Sequence, residues 1–217
     1  MLNVTDLIGF GSTSAIGTIT AKYVGGTISG NNSGPWTTNV TFSSGYNKVL
    51  LVVSAGNTTP TFSTVTVNSV ECVSNLIQQQ GNVAAFYGNH PGAGTFAIAV
   101  NVSAGGGNNG SIHAYEITGS PLFTPYDTDV NEATNTIDCP TGGFIVLFGR
   151  DSSGAADTMS VGTTNILNAS SSYGGDSASF ATGFINMDGS TADKTGGTKT
   201  YAISSDGSRL CLSFVSL

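Results

Sequence analysis

Two histidines, a strand glutamate, a short acidic run and three cysteines are the side chains of this sequence that could do chemistry. His90 precedes Pro91 in a turn, and His113 lies in the apolar run Ile112-His113-Ala114-Tyr115-Glu116-Ile117. Either could serve a catalytic triad or bind a metal, but neither has a carboxylate or cysteine at ligand spacing. A lone strand histidine usually serves as a hydrogen-bonded structural residue. Glu116 is the acid best placed for general acid–base work, since the strand around it is otherwise apolar. An outward-facing glutamate on a strand reads the same way. Asp127-Thr128-Asp129-Val130-Asn131 begins like a calcium loop, with Asp138 at its twelfth position. The sixth position, where such a loop needs glycine, is Glu132, so a solvated acidic loop is the expectation. Cys72, Cys139 and Cys211 are odd in number and show no CxxC spacing. They read as small buried hydrophobes on strands. Gly9-Phe10-Gly11-Ser12-Thr13-Ser14 starts like a dinucleotide fingerprint, but Ser14 breaks it and no βαβ pattern follows. No catalytic residue, metal ligand or cofactor site is therefore assigned.

The elements around these residues are strands. Of 217 residues, 30 are Gly, 28 Thr, 27 Ser and 18 Asn, and only 9% are charged, against the usual ~25%. This excludes a helical bundle or a coiled coil. The net charge is −7, and the six basic residues are scattered, which argues against a nucleic-acid partner. The 11 Phe and 7 Tyr, with many Val and Ile, argue against disorder. No apolar run approaches the length of a membrane helix. Met1 to Ala21 holds no Lys or Arg, so a signal peptide is not expected and synthesis in a cytoplasm is.

Phe96, Ile98, Val100 and Val102 alternate with Ala97, Ala99 and Asn101, the period-2 pattern of a half-buried strand. Val49-Leu50-Leu51-Val52-Val53 and Phe144-Ile145-Val146-Leu147-Phe148 are apolar on both faces and read as central strands covered on both sides. Asp206-Gly207, between Tyr201-Ala202-Ile203 and Leu210-Cys211-Leu212, reads as a tight hairpin. Val73 to Gln80 reads as a strand running into a turn.

The expected fold is all-β, a two-sheet antiparallel β-sandwich of jelly-roll type, with an up-and-down barrel as the alternative. An internal repeat suggests two related halves. Val49–Val53 matches Phe144–Phe148 at an offset of 95, Val65–Val67 matches Met159–Val161 at 94, and Ile112–Ala114 matches Leu210–Leu212 at 98. The chain is best treated as one domain. Residues 1–44 form an N-terminal arm and first strands packed on the core, and 45–217 form the sandwich, with halves 45–119 and 140–217. The acidic stretch between the halves reads as a long connection across the sandwich end. Leu7, Ile8 and Phe10 form either a first strand or an arm docking on a neighbouring subunit. Trp36, Tyr46, Tyr87, Tyr126 and Tyr173 lie near Gly or Pro, where exposed rings would suit sugars or subunit contacts.

The order of these motifs resembles that of small all-β virion proteins of tailed bacteriophages. It runs from Leu7-Ile8-Gly9-Phe10-Gly11 through Lys48–Val53, Val65–Val70, Ala84–Tyr87, Gly92–Thr95 and Ala114–Gly119 to Gly142–Val146 and Leu210–Phe214. The resemblance implies a structural role in a virion and no enzymatic one. The leading expectation is a capsid decoration protein on the outside of the head. Its partners would be the major capsid protein and copies of itself, with symmetry favouring a trimer and Leu7, Ile8, Phe10 and Trp36 as contact residues. The alternative is a tail or tail-fibre component touching host glycans.

Overall fold

The computed structural model describes residues 18–29, 35–55, 60–104, 109–119, 121, 123–151, 158–173, 178–204 and 207–216. Nine strands fill the first half: β1 (Ala21–Ser29), β2 (Trp36–Phe42), β3 (Lys48–Ala55), β4 (Thr61–Val67), β5 (Val70–Glu71), β6 (Leu76–Gln80), β7 (Val83–Asn89), β8 (Gly94–Ala104) and β9 (Gly110–Ile117). Nine more follow: β10 (Asp127–Val130), β11 (Thr134–Cys139), β12 (Phe144–Asp151), β13 (Met159–Val161), β14 (Thr164–Asn165), β15 (Leu167–Tyr173), β16 (Ala178–Asn186), β17 (Gly197–Ile203) and β18 (Arg209–Phe214). No α-helix occurs among the described residues, only short 3₁₀ turns at Val73–Asn75 and Ala192–Lys194.

These strands build four antiparallel sheets. The first half has one of order β1-β9-β3-β7-β6 and one of order β2-β8-β4-β5. The second half has β10-β18-β12-β16-β15 and β11-β17-β13-β14, the same two orders nine strands later. With β6 set aside, the first half reads as eight strands in two Greek-key sheets, first strand beside last and second beside next-to-last. That is the jelly-roll order, and the second half repeats it with β15 set aside. The antiparallel jelly-roll sandwich expected from the pattern is present, and its two-sheet unit occurs once in each half.

The core explains why each half needs the other. Val49, Leu51 and Val53 of β3 point to an outer core with Trp36, Phe42, Val65, Phe86, Ile98 and Ile112. Ile145 and Leu147 of β12 point to the matching outer core with Ile137, Met159, Val161 and Tyr201. The alternate residues Leu50 and Val52 meet Phe144, Val146 and Phe148 in a third, middle layer with Tyr115, Leu212 and Phe214. The two inner sheets thus pack face to face, and strands buried on both faces must be apolar at every position. Polar links seal this seam. The backbone N–H of Ala21 donates to Asn186 Oδ1 at 2.8 Å and Asn186 Nδ2 returns a bond to the Ala21 carbonyl at 2.9 Å. Tyr115 and Thr182 join hydroxyls, and Ser208 Oγ donates to Asn82 Oδ1 at 2.9 Å.

Several expectations change. Residues 127–139 are not a connection: Asp127 to Val130 pairs with β18, and Thr134 to Cys139 pairs with β17. Their polarity is that of edge strands with one wet face. Ala21–Ser29 and Trp36–Phe42, within the stretch expected to hold first strands, are two strands of the first jelly roll. β17 and β18, the strands flanking Asp206-Gly207, do not pair as the expected hairpin, because β17 belongs to an outer sheet and β18 to an inner one; Asp206 itself lies outside the described residues. The region from Val73 is a turn running into a strand, the reverse of the expected order. The three repeat anchors fall on β3 and β12, β4 and β13, and β9 and β18. Two of them are out of phase. Val49 faces an outer core while its match Phe144 faces the middle layer, and Ile112 and Leu210 differ in the same way. A one-residue slip reverses a strand's faces, and a run apolar on both faces cannot reveal its own phase.

Candidate functional site

Glu116, near the end of β9, is fully buried. It shares a face with Ile112 and Ala114 but lies where the outer core gives out beside Phe42. Antiparallel pairing puts Lys22 of β1 opposite it. Glu116 Oε1 accepts the backbone N–H of Ser43 and lies 3.2 Å from His90 Nε2. Its Oε2 lies 3.5 Å from Lys22 Nζ, which also donates to Ser43 Oγ at 2.7 Å. His90 Nδ1 accepts the N–H of Gly92 at 3.1 Å. That bond assigns the proton to Nε2, which therefore donates to Glu116. Phe42 meets the His90 ring edge-on at 5.3 Å, Tyr46 stacks on it at 6.2 Å, and Lys22 lies over Tyr46 at 5.8 Å.

A carboxylate holding an imidazole is the arrangement that orients a catalytic histidine. Such a histidine needs its other nitrogen turned to a nucleophile, and here the Gly92 amide takes it. Ser43 and Lys22 resemble a serine–lysine pair, which needs a lysine acting as base. Here the ammonium donates to Glu116 and Ser43 together. The geometry makes a clamp rather than a reactive centre. It ties β1, the chain after β2 and the chain after β7 to β9.

The other candidates are separated. His113 points from β9 into the middle layer, where Tyr23 Oη lies 3.2 Å from Nδ1 and Phe148 meets the ring edge-on at 5.9 Å. Its Nε2 is buried without a hydrogen-bond partner. Burial pulls its pKa down from 6.5 to about 4, because a charged ring there would be unsolvated. Among the described residues no group of three or more His, Cys, Asp or Glu is placed to hold a metal ion. Asp127 Oδ2 instead accepts the backbone N–H of Asp138 at 2.8 Å, pinning β10 to β11. All three cysteines are free and buried. Burial raises each thiol, that of Cys139 to about 12, which withholds the thiolate needed for nucleophilic attack.

Trp36 is a correction. It opens β2 but is only 1% exposed, with its indole closing over Gly110 in the outer core, so no face is left for a partner. A bulky ring beside Pro reads as exposed in sequence, while the facing glycine that makes room for it lies on a distant strand. Tyr46 is spoken for by His90, and Tyr87 stacks flat on Phe123 at 4.3 Å. Tyr126 is 55% exposed. The side chain of Tyr173 lies outside the described residues, as do Leu7, Ile8 and Phe10. Sequence reasoning singled out Glu116 and His90 separately and missed Lys22 and Ser43. No spacing rule joins them, since sheet register alone brings the four together.

No family model matches the sequence, and no curated protein matches it. Among solved structures the chain is similar to the major capsid protein P2 from Bacteriophage PM2, at 13% identity and a TM-score of 0.27, covering 91% of this chain and 97% of that one. It is also similar to a PBCV-1 virus capsid structure, at 7% identity and a TM-score of 0.21, covering 92% and 94%. PBCV-1 VP54, fitted into a reconstruction of the virophage Sputnik, gives 8% identity and a TM-score of 0.22, covering 92% and 94%. The jelly-roll assignment rests on the strand order of this chain itself.

Proposed function

We propose that this chain is a structural component of a virus particle, a decoration protein that clads the outside of the shell and stabilises it. The observation that carries this reading is the pair of jelly rolls fused through an apolar middle layer. Jelly rolls recur in viral capsid and lectin domains, and a rigid double block suits load sharing better than turnover. The internal pairing of Glu116, His90, Lys22 and Ser43 supports it, since each group that could react is already engaged. The motif order of tailed-phage virion proteins supports it from the sequence side. In this reading the partners are the major capsid protein and further copies of the chain, Leu7, Ile8 and Phe10 form the anchoring arm, and binding the assembled state stabilises that state by mass action.

A tail or fibre component touching glycans is the second reading. Exposed Tyr126 favours it, while the burial of Trp36 and the internal stacking of Tyr46 and Tyr87 weigh against a sugar-binding platform. Gold-labelled antibody on parent particles, viewed by electron microscopy, tests the two. Label over the head is expected. Label on the tail would transfer the role to the second reading, and unlabelled particles would overturn both.

A further inference from the structure

We propose that the groove beside Phe184, where the chain crosses from β14 in an outer sheet to β15 in an inner one, binds a neutral saccharide. Its volume is about 280 Å³, at the lower end of the range of ligand pockets and suited to one or two sugar units. Phe184 forms a wall, and Asn165, Asn168, Asn186, Asp188 and Lys194 surround it. None of the tyrosines and the tryptophan expected from the sequence to touch sugars lines this groove.

A bulge supplies the polar side. Leu167 pairs with Gly183 and Ala169 with Thr182, which leaves Asn168 between them without a cross-strand partner. A bulge re-aims the side chain it carries and is common beside binding sites. Asn168 is exposed at the groove, and its side-chain amide makes no hydrogen bond among the described residues. Asn165 Oδ1 accepts the Leu167 N–H at 3.0 Å, and its Nδ2 stays available. Lys194 Nζ lies 3.6 Å from Asp188 Oδ2, so the one ammonium and the one carboxylate balance. An anion would face Asp188 and a cation would face Lys194, each at the expense of that pair. A wholly apolar ligand would leave the two amides without partners. A neutral sugar meets every condition, since its hydroxyls both donate and accept and its C–H face lies against an aromatic ring.

The first half shows what shape such a ring takes on. There the matching groove, about 440 Å³, opens beside Leu76. Leu76 pairs with Phe86 as Leu167 pairs with Gly183, so Tyr87 corresponds to Phe184, and Ile77, also in a bulge, corresponds to Asn168. Phe123 lies flat on Tyr87, with ring centroids 4.3 Å apart and planes 2° from parallel. Among the described residues no ring lies flat on Phe184, which Tyr115 meets only edge-on at 5.4 Å. The second groove thus keeps the aromatic wall, lacks the flat cover and replaces an isoleucine with an asparagine. Those changes fit a flat occupant with a polar edge.

This site stands apart from the shell reading, so either can fail without the other. Nuclear magnetic resonance titration of the isotope-labelled full chain tests it, with glucose, galactose, mannose and N-acetylglucosamine each raised to about 20 mM, enough to fill a millimolar site. The expected result, with at least one of these sugars, is shifts confined to residues 164–168, 184–188 and 194. Asn168→Ala should weaken that binding at least ~5-fold through lost hydrogen bonds. Phe184→Leu, which keeps bulk and removes the flat face, should weaken it as well, and Tyr126→Ala should leave it unchanged. No shift with any of these sugars overturns the proposal, as do shifts centred on Tyr126 or on the groove beside Leu76. Glucuronate or glucosamine binding more tightly than glucose also overturns it, because balanced charge would then not select the ligand. If the variants fail to fold, saturation transfer in the wild type decides. Transfer from aromatic protons to the C–H face of the sugar supports the site, and its absence overturns it.

Discussion

The two halves share a strand order but close their sandwich ends with different chemistry. Leu51 sits opposite Ala114 and Phe86 in the first half, and Leu147 sits opposite Cys211 and Gly183 in the second. Carried along the strands, that register sets Glu116 against Ser213, His90 against Met187, and Lys22 against Asp127. In the first half a buried carboxylate gathers an imidazole, an ammonium and an amide. In the second, Ser213 Oγ donates to the Asp138 carbonyl at 2.6 Å and accepts the Asp127 N–H at 3.0 Å, while Met187 is fully buried. In the middle layer His113 and Tyr115 stand where the second half has Leu210 and Leu212. The jelly roll therefore needs none of these polar groups to form. The apolar rows of β3 and β12 set the topology, and the polar clusters are local additions.

The sharpest way to break the comparison is Glu116→Ala. It strands the His90 and Ser43 donors in a buried site, and the expected loss is about 3 kcal/mol or more, read as a lower urea midpoint. An unchanged midpoint would show the clamp to be idle. Glycan turnover by the wild type that Glu116→Gln abolishes would instead make the site an active centre.

His113 gives the next effect. Its folded pKa lies near 4 against 6.5, so between those values the unfolded chain binds more protons than the folded one. This contribution is fully present above pH 6.5 and is lost as pH falls toward 4, by up to ~3 kcal/mol. His113→Leu, which copies Leu210, should flatten the slope of stability against pH in that window. A slope unaltered by the substitution would assign the acid sensitivity elsewhere.

Copying the second half into the first sharpens the contrast further. Glu116→Ser with His90→Met should cost less than the two single changes added together, by about 1–3 kcal/mol, because the pair is one interaction. Strict additivity in the double-mutant cycle would show the two residues to be uncoupled. The smallest effect is Ser213→Ala, about 1 kcal/mol for a hydroxyl bonded at a partly open end. A loss as large as that of Glu116→Ala would erase the difference between the ends.

The strands were legible because alternation and two-sided apolar runs report burial directly. Phe96, Ile98, Val100 and Val102 lie along one strand as their spacing predicts, and the two apolar runs take the centres of the inner sheets. β10 and β11 were hidden because Asp-Thr-Asp-Val and Thr-Asn-Thr-Ile-Asp-Cys carry too few apolar residues to show a period. That the cover over each central strand is the other half was also beyond the pattern, which shows two buried faces but not what buries them. The clamp was illegible for a related reason. Glu116 and His90 lie on either side of β3, and only the pairing of β9 and β7 with that strand makes them neighbours.

The nesting of first strand beside last has a consequence for synthesis. β1 finds its partner only when β9 has emerged, about 90 residues later. The first jelly roll then closes with Leu50, Val52 and Tyr115 on a bare sheet face. That face waits for Phe144, Leu212 and Phe214, which a ribosome adding ~5–20 residues per second delivers over several more seconds. During that interval the nascent chain displays an adhesive surface that the finished protein hides. Crowded polysomes, where identical sheets wait side by side, are where this fold meets its hardest competition.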